Sequence, residues 1–232
     1  TPQGDYHDNA ERFIFFSRAV PELCGVLNFT PDIIHCNDWQ TGLVPLFRKK
    51  FYLDRLPRTR TVFTIHNLGY QGIFWKRDLA LTGLGEDVFT PEGLEFWGNI
   101  NLLKAGIAYA DAVTTVSSTY SREIRTPEFG HGLDGMLRKR HADLCGSVNG
   151  IDYDEWDPEA DPYLPAPFSA GDLSGKQAAK RALLETFGFT VTDDLLRRPV
   201  VGMVSRMVDQ KGLDLIAAIA GALPSLDATF TI

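Results

Sequence analysis

Short apolar runs alternate with amphipathic stretches along the first part of the chain. The clearest run is Thr61–Ile65, whose β-branched and aromatic residues carry no charge, as in a strand buried on both faces of a parallel sheet. Runs at Asp32–His35 and Ala112–Val116 predict two further strands. The predicted helices are Asn9 to Ala19, a stretch ending near Phe51, Leu102 to Ala110, and a segment from Ser117 or Ser118 to Arg125. Alternation of strands and helices predicts a doubly wound α/β fold.

Prolines and polar residues suggest where these helices begin and end. We expect Asp8 to cap the first helix and Pro21 to end it, and Pro45 to bend the second. The segment Leu68 to Ile100 shows no regular pattern and is rich in aromatic residues. We expect this segment to be a long loop that is functional or packed on itself.

The composition changes after Asn149. The short strand Gly146–Val148 is followed by Asn149-Gly150, a pair that favours a tight turn. The proline-rich stretch Asp157–Phe168 is typical of a connector. We therefore predict two domains, residues 1–148 and 149–232. The later elements predicted are a helix over Ser174–Phe187, a strand over Pro199–Ser205, a helix from Leu213 and a strand over Ala228–Ile232.

Composition excludes several classes of partner. The 232 residues are 44% hydrophobic and carry a net charge of -7, which argues against nucleic acid or an anionic membrane as a partner. No apolar run is long enough to span a bilayer. The three cysteines lack the spacing of metal ligands or a redox pair, which suits a cytoplasmic protein.

Polar residues follow two of the predicted strands. His66 and Asn67 come directly after Thr61–Ile65, at the carboxyl edge where open α/β sheets bind ligands. Asp38 and Trp39 follow the preceding strand. His66 is equally consistent with a structural role and a ligand contact. Asp38 is either a helix N-cap or, beside Trp39, part of a site that holds a sugar.

The last third of the chain carries a pair of cations. Arg206 and Lys211 lie between the strand Pro199–Ser205 and the helix that begins near Leu213, which favours an anion such as a diphosphate. The alternative is two surface cations, one of which pairs with Asp209 or Asp214. The glycine-rich segment Phe129–Gly135 can serve turns or a ligand. The segment Gly171–Gln177 resembles a phosphate loop but is one residue short and follows no predicted strand, which excludes a phosphate loop there.

Five ordered motifs together carry a family resemblance. They are HCNDWQTGL from His35, TIHNLGYQG from Thr64, TVS from Thr115, VNGID from Val148 and SRMVDQKGL from Ser205. With these motifs the chain resembles the bacterial glycogen synthases and plastid starch synthases along essentially its whole length. The resemblance implies a B-type glycosyltransferase fold of two Rossmann-like doubly wound domains. It assigns residues 1–148 to most of the N-terminal, acceptor-side domain and residues 149–232 to the hinge and the start of the nucleotide-sugar domain.

The resemblance also implies an activity, which is transfer of glucose from ADP-glucose to the non-reducing end of an α-1,4-glucan with retention. Arg206 and Lys211 match the residues that hold the donor diphosphate, and His66 matches a residue beside the donor glucose. The remaining matches are Asp38, Trp39 and Asn67 on the wall facing the sugar and acceptor, and Asn149 at the hinge. Asp38 is grouped with the catalytic residues, and Trp39, Asn67 and Asn149 with the substrate-binding ones. Neither a metal nor another cofactor is implied.

Departures from the family pattern set limits on this prediction. The lysine- and glycine-rich donor motif and the pair of glutamates have no counterpart in the chain, so we expect an internal fragment in which both domains are incomplete and transferase activity is small or absent. Gln40 and Thr41 also differ from the residues that are commonest at these positions in the family. Two alternatives stay open: a related glycosyltransferase that uses a UDP-sugar, and a non-catalytic glucan-binding relic. A bacterial cytoplasmic location is favoured over a plastid.

Overall fold

The computed structural model describes residues 6–231, apart from the side chain of Asp209. The chain divides into two compact units, with the boundary between Gly150 and Ile151. Within the described residues, no helix has the length and apolar character needed to cross a membrane. Each unit is described separately below.

The strands of the first unit form two sheets. They are β1 (Ile33–Asn37), β2 (Arg60–Ile65), β3 (Ile73–Trp75), β4 (Glu95–Phe96), β5 (Asn99–Asn101), β6 (Ala112–Thr115) and β7 (Leu144–Gly146). The larger sheet has the order β1-β2-β6-β7, and all of its pairings are parallel. At the carboxyl ends of the strands, Asn37 of β1 pairs with Thr64 of β2, and Ile65 of β2 pairs with Thr115 of β6. Thr115 also pairs with Gly146 of β7. The strands therefore end at one common edge.

The helices of the first unit contact one another as well as the sheet. They are α1 (Asn9–Val26), α2 (Val44–Phe51), α3 (Leu79–Thr82), α4 (Leu102–Tyr109), α5 (Tyr120–Glu123) and α6 (Asp134–Lys139). Helix α1 lies against α2, α2 against α4 and α4 against α6. Phe63 and Ile65 of β2 are fully buried, as the apolar run predicted. A Cβ added to Gly106 of α4 would lie 2.4 Å from the ring of Phe63. Helix and sheet meet here at a distance that only glycine permits.

Three expectations about helix boundaries were wrong. Asp8 precedes α1 but its side chain makes no capping hydrogen bond, and α1 continues through Pro21 to Val26. Pro21 is buried, so packing of its ring offsets the lost helical hydrogen bond. Pro45 lies in the first turn of α2, where a helix needs no N–H donor, and therefore does not bend it.

The segment predicted as a loop after β2 contains regular structure. Strands β3, β5 and β4 form an antiparallel sheet in that order. Short 3-10 helices at Lys76–Asp78 and Glu86–Val88 and helix α3 connect its strands. The strands are only two or three residues long, too short to leave a recognisable alternation in the sequence.

The second unit begins with irregular chain. Its turns are held by side chains of Asp152, Asp157 and Asp161, each of which accepts a hydrogen bond from the backbone two residues later. The elements that follow are α7 (Gly175–Thr186), α8 (Asp193–Arg197), β8 (Val200–Gly202), α9 (Leu213–Ile219) and β9 (Thr229–Thr231). Strands β8 and β9 pair in parallel. The strand predicted over Pro199–Ser205 is observed only over β8. The strand predicted over Ala228–Ile232 is observed as β9, and its predicted last residue, Ile232, lies outside the described residues.

Candidate functional site

Asp38 holds the turn that follows β2. Its Oδ1 accepts hydrogen bonds from the backbone nitrogens of His66 at 2.8 Å and Asn67 at 3.4 Å. Its own backbone N–H donates to the carbonyl of Thr64 at 2.9 Å. The residue has a φ of 55° and its side chain does not cap the short helix Trp39–Thr41. Of the two roles left open for Asp38, that of a helix N-cap is therefore wrong. The carboxylate instead positions His66 and Asn67.

The ring of His66 is exposed and has one fixed partner. Its Nε2 lies 2.9 Å from Oδ1 of Asn37, the last residue of β1. A carboxamide oxygen only accepts hydrogen bonds, so Nε2 is the donor. Nδ1 of the neutral ring is then an acceptor that faces away from Asn37. His66 can therefore accept a hydrogen bond from a hydroxyl group at the edge of the sheet.

Asn67 shapes the chain beyond His66. Its Oδ1 accepts a hydrogen bond from the backbone nitrogen of Gly69 at 3.0 Å, which closes an Asx turn. The backbone nitrogen of Leu68, which lies between Asn67 and Gly69, donates to the hydroxyl of Tyr120 at 2.9 Å. Burial raises the pKa of Tyr120, although this hydrogen bond opposes the change. The turn is thus fixed by the side chains of Asp38, of Tyr120 in α5 and of Asn67 within the turn itself.

Trp39 lies beside this turn and is half-buried. Its indole contacts Phe13 edge to face with the ring centroids 4.7 Å apart, and Phe74 at 5.8 Å. A Cβ added to Gly72 would lie 2.4 Å from Cε3 of Trp39, and Gly72 has a φ of 61°. The indole therefore packs between α1, β3 and the Gly72 backbone, and its contact with a sugar remains a prediction.

A buried amide joins this region to α4. Gln71 Nε2 donates to the carbonyls of Leu68 at 3.2 Å and His131 at 3.1 Å, and its Oε1 accepts from Asn101 Nδ2 at 2.6 Å. Asn101 Oδ1 in turn accepts from the backbone nitrogen of Lys104 and caps α4. The stretch after His66 is thus tied to a helix of the core and to the glycine-rich loop around His131.

The remaining predicted residue of the first unit lies at its end. Asn149 is exposed and belongs to an irregular stretch after β7, without the tight turn expected at Asn149-Gly150. The chain stays paired with the sheet only as far as Ser147, whose backbone nitrogen donates to the carbonyl of Thr115 at 2.8 Å. The substrate contact of Asn149 remains a prediction.

The predicted cations belong to the second unit. Arg206 and Lys211 are both exposed. The backbone between them turns tightly, because the nitrogen of Val208 donates to the carbonyl of Arg206 and that of Lys211 donates to the carbonyl of Val208, each at 2.9 Å. Gly212, with a φ of 72°, leads into α9 at Leu213, where the sequence predicted a helix. Both cations stand in one short loop after β8.

A chain of polar groups across the sheet was not anticipated. Thr64 Oγ1 lies 2.6 Å from His35 Nε2 and 2.6 Å from Thr114 Oγ1. The hydrogen bond between Asn37 and His66 was not anticipated either. The available signal was the parallel register, which pairs Thr64 with Asn37 on one side and with Thr114 on the other, and puts His35 two residues before Asn37 on the same face. That register can be known only once the order of the strands is known. The described residues contain no cluster of three or more His, Cys, Asp or Glu that could hold a metal ion.

Comparisons with known proteins agree on one family. The model of the starch synthase catalytic domain matches residues 1–139. A glycogen synthase from Thermodesulfovibrio yellowstonii is 47% identical over 228 residues, which is 97% of this chain and 45% of that protein. A glycogen synthase from an Anaeromyxobacter species is 53% identical over 225 residues, which is 96% of this chain and 47% of that protein.

A solved structure supports the same assignment. The catalytic domain of starch synthase IV from Arabidopsis thaliana, bound to ADP and acarbose, matches with a TM-score of 0.89 and 37% identity, over 98% of this chain and 47% of that one. This match confirms the predicted α/β, B-type glycosyltransferase fold. The chain spans about half the length of the curated relatives it matches. On these sequence and structural matches, it belongs to the starch synthase catalytic domain family.

Proposed function

We propose that this chain is part of a glucosyltransferase that moves glucose from ADP-glucose to the non-reducing end of an α-1,4-glucan and retains the anomeric configuration. The observation that carries the proposal is the match, over 98% of the chain, to a starch synthase bound to ADP and acarbose. The curated relatives named glycogen synthase support a glucan as the acceptor. Their bacterial origin favours a cytoplasmic location over a plastid.

Arg206 and Lys211 are proposed to bind the donor diphosphate. Negative charge grows on the leaving diphosphate as the glycosidic bond breaks, and fixed cations stabilise it most at that point. The exposure of both side chains in one tight loop supports this role. No metal ion is then needed to balance the charge of the departing ADP.

His66 is proposed to bind the glucose that is transferred. With Nε2 committed to Asn37, the ring presents Nδ1 to a sugar hydroxyl. Asp38 acts as a positioning residue through the His66 and Asn67 backbone, while Trp39, Asn67 and Asn149 contribute to substrate binding. Retention follows from attack on the face that ADP leaves, with the leaving phosphate taking the proton of the acceptor hydroxyl. The protein's part is to orient the two sugars.

The test is transfer of labelled glucose to glycogen by the longest gene product that contains this chain, with ADP-glucose and UDP-glucose in parallel. Transfer from ADP-glucose is expected. Transfer from UDP-glucose alone would reassign the donor, and transfer from neither would overturn the proposal and favour a glucan-binding protein without catalysis.

The donor site can be tested separately by calorimetry with ADP. Arg206→Ala is expected to weaken ADP binding by at least about tenfold, because a charged hydrogen bond to phosphate is lost. Arg181→Ala, which removes an exposed arginine from α7, is the matched control and should leave ADP binding unchanged. Equal affinity of both variants for ADP would exclude Arg206 from the site.

A further inference from the structure

Glycine follows asparagine at only one place in the sequence, the pair Asn149-Gly150. Both residues are exposed and belong to the irregular stretch after β7. A Cβ added to Gly150 would meet nothing within 4 Å, so no neighbouring group fills the space around this peptide bond. The pair can therefore change its conformation without any unfolding of the sheet that precedes it.

The reactive groups of this pair are not held by hydrogen bonds. Within residues 6–231, no hydrogen bond is formed by the side chain of Asn149 or by the backbone nitrogen of Gly150. This nitrogen and Cγ of Asn149 are separated by few bonds and can approach each other to close a five-membered ring. Glycine hinders this approach least of all residues, because it has no Cβ and its backbone turns most freely.

The other asparagines, all of which lie in the described part of the chain, are protected. Asn28 is exposed, but the backbone nitrogen of the next residue, Phe29, donates to the carbonyl of Cys24 at 2.9 Å. Asn99 lies in β5 and is followed by the fully buried Ile100. The remaining ones use Oδ1 in hydrogen bonds and are Asn9, Asn37, Asn67 and Asn101.

We infer that Asn149 is a modification site, at which the folded protein deamidates without an enzyme. The backbone nitrogen of Gly150 loses its proton to a base in solution and attacks Cγ of Asn149. A bond forms between this carbon and the Gly150 nitrogen, and the side-chain nitrogen leaves as ammonia. Water then opens the cyclic succinimide at either carbonyl carbon and gives aspartate or isoaspartate. The reaction consumes water, releases ammonia and transfers no electrons.

The consequence for activity rests on the proposed function, in which Asn149 binds substrate. A carboxamide donates and accepts hydrogen bonds, whereas a carboxylate only accepts them. The carboxylate also carries a negative charge, which repels a donor that bears a diphosphate. Isoaspartate in addition lengthens the main chain by one carbon directly before the boundary between the two units. We therefore expect transferase activity to fall as the protein ages.

The experiment is peptide mapping by mass spectrometry of the 232-residue chain after incubation at pH 8, either folded or unfolded in urea. The peptide with Asn149 should give two isomeric products, heavier by the difference between a hydroxyl and an amino group. In the folded chain they should form at a rate within about tenfold of the rate in urea, because no unfolding is needed. The peptide with Asn28, in the same digest, should stay unchanged over this time.

Gly150→Ala tests the attacking group. The new Cβ meets no other atom within 4 Å, so the variant should fold, but the methyl group hinders ring closure and should slow deamidation by about tenfold. Gly221→Ala is the matched control, since Gly221 is exposed, has the same open surroundings and follows Ala220. It should leave the rate at Asn149 unchanged.

Each other outcome contradicts the inference. A folded chain that reacts more than about tenfold slower than the chain in urea would show that the structure protects Asn149. Equal rates for the parent and Gly150→Ala, or aspartate as the only product, would exclude the cyclic route. Conversion of Asn28 as fast as that of Asn149 would remove the selectivity.

The effect on activity is measured on the longest gene product that contains this chain. Transfer of glucose should decline in proportion to the converted fraction of Asn149, and constant transfer during conversion would overturn this consequence. Failure of the proposed function is distinguishable, because it appears as absent transfer in freshly prepared protein. The peptide map requires no substrate and reports deamidation in either case.

Discussion

Oδ1 of Asp38 lies 2.8 Å from the backbone nitrogen of His66, so the residue that directly follows β1 fixes the residue that directly follows β2. Asp38→Ala leaves this N–H without its acceptor and is expected to lower the free energy of unfolding by about 1 to 3 kcal/mol. Asp38→Asn keeps an oxygen acceptor and tolerates positive φ, so its loss should be smaller. Urea unfolding measures both values.

The matched control is Asp32→Ala, at the other end of the same strand, where the side chain is exposed. Under the proposed function, Asp38→Ala in the full-length protein should lower kcat more than it raises KM for ADP-glucose, since it displaces His66 and leaves the proposed diphosphate site at Arg206 and Lys211 unchanged. An unfolding free energy for Asp38→Ala equal to that of Asp32→Ala would show that the carboxylate does not hold the turn.

Gln71 and Asn101 form a buried pair whose coupling can be measured. Gln71→Met removes the amide at similar volume, and Asn101→Ser removes the donor to Gln71 but keeps an oxygen for the helix cap. Because each substitution leaves one atom of the other amide, Asn101 Nδ2 or Gln71 Oε1, without its partner, we expect a coupling energy of about 1 kcal/mol in a double-mutant cycle. Additive effects on the free energy of unfolding would contradict the pairing.

The main sheet and its edge could be predicted from the sequence because the signals there are local. A run such as Thr61–Ile65 identifies a buried strand, and the polar residues after it identify the edge. The contacts that arrange the site could not be predicted, because they join distant segments. Asn37 meets His66 only through the parallel register, and Gly72 meets Trp39 only because the indole packs on Phe74 of β3.

Asp111 makes stability depend on acid pH. Burial alone would raise its pKa, but hydrogen bonds from the backbone nitrogen and hydroxyl of Thr61 and from Arg60 outweigh burial and hold the pKa below its ordinary value. The unfolded chain therefore takes up this proton at a higher pH than the folded chain does, so the stabilisation is full near neutral pH and is lost as the pH falls below about 4.

Asp111→Asn is accordingly expected to cost about 1 to 2 kcal/mol of unfolding free energy at pH 7, and the difference from the parent should shrink in acid. Thermal unfolding between pH 7 and pH 3 measures this, with the exposed Asp54→Asn as control. If the difference in unfolding free energy between the parent and Asp111→Asn stays constant down to pH 3, the ionised carboxylate of Asp111 is not the source of the stabilisation.

The cysteines should differ sharply in reactivity. Burial raises the pKa of the Cys36 thiol to about 12, so almost none of it is the reactive thiolate at pH 8. Cys145 is exposed, while Cys24 is half-buried and its pKa is raised by burial. Iodoacetamide labelling followed by mass spectrometry should modify Cys145 first and Cys36 only after denaturation. Labelling of native Cys36 as fast as Cys145 would refute this order.

Asn101 is both the last residue of β5 and the N-cap of α4, so strand and helix follow each other without a linker. An additional residue inserted after Asn101 would turn α4 by about 100° and point its fully buried side chains, such as Leu103, away from the sheet. The turn at Gly83, where an added Cβ meets nothing within 4 Å, has no such constraint. Among relatives, changes in chain length should therefore accumulate around Gly83 and be excluded at Asn101.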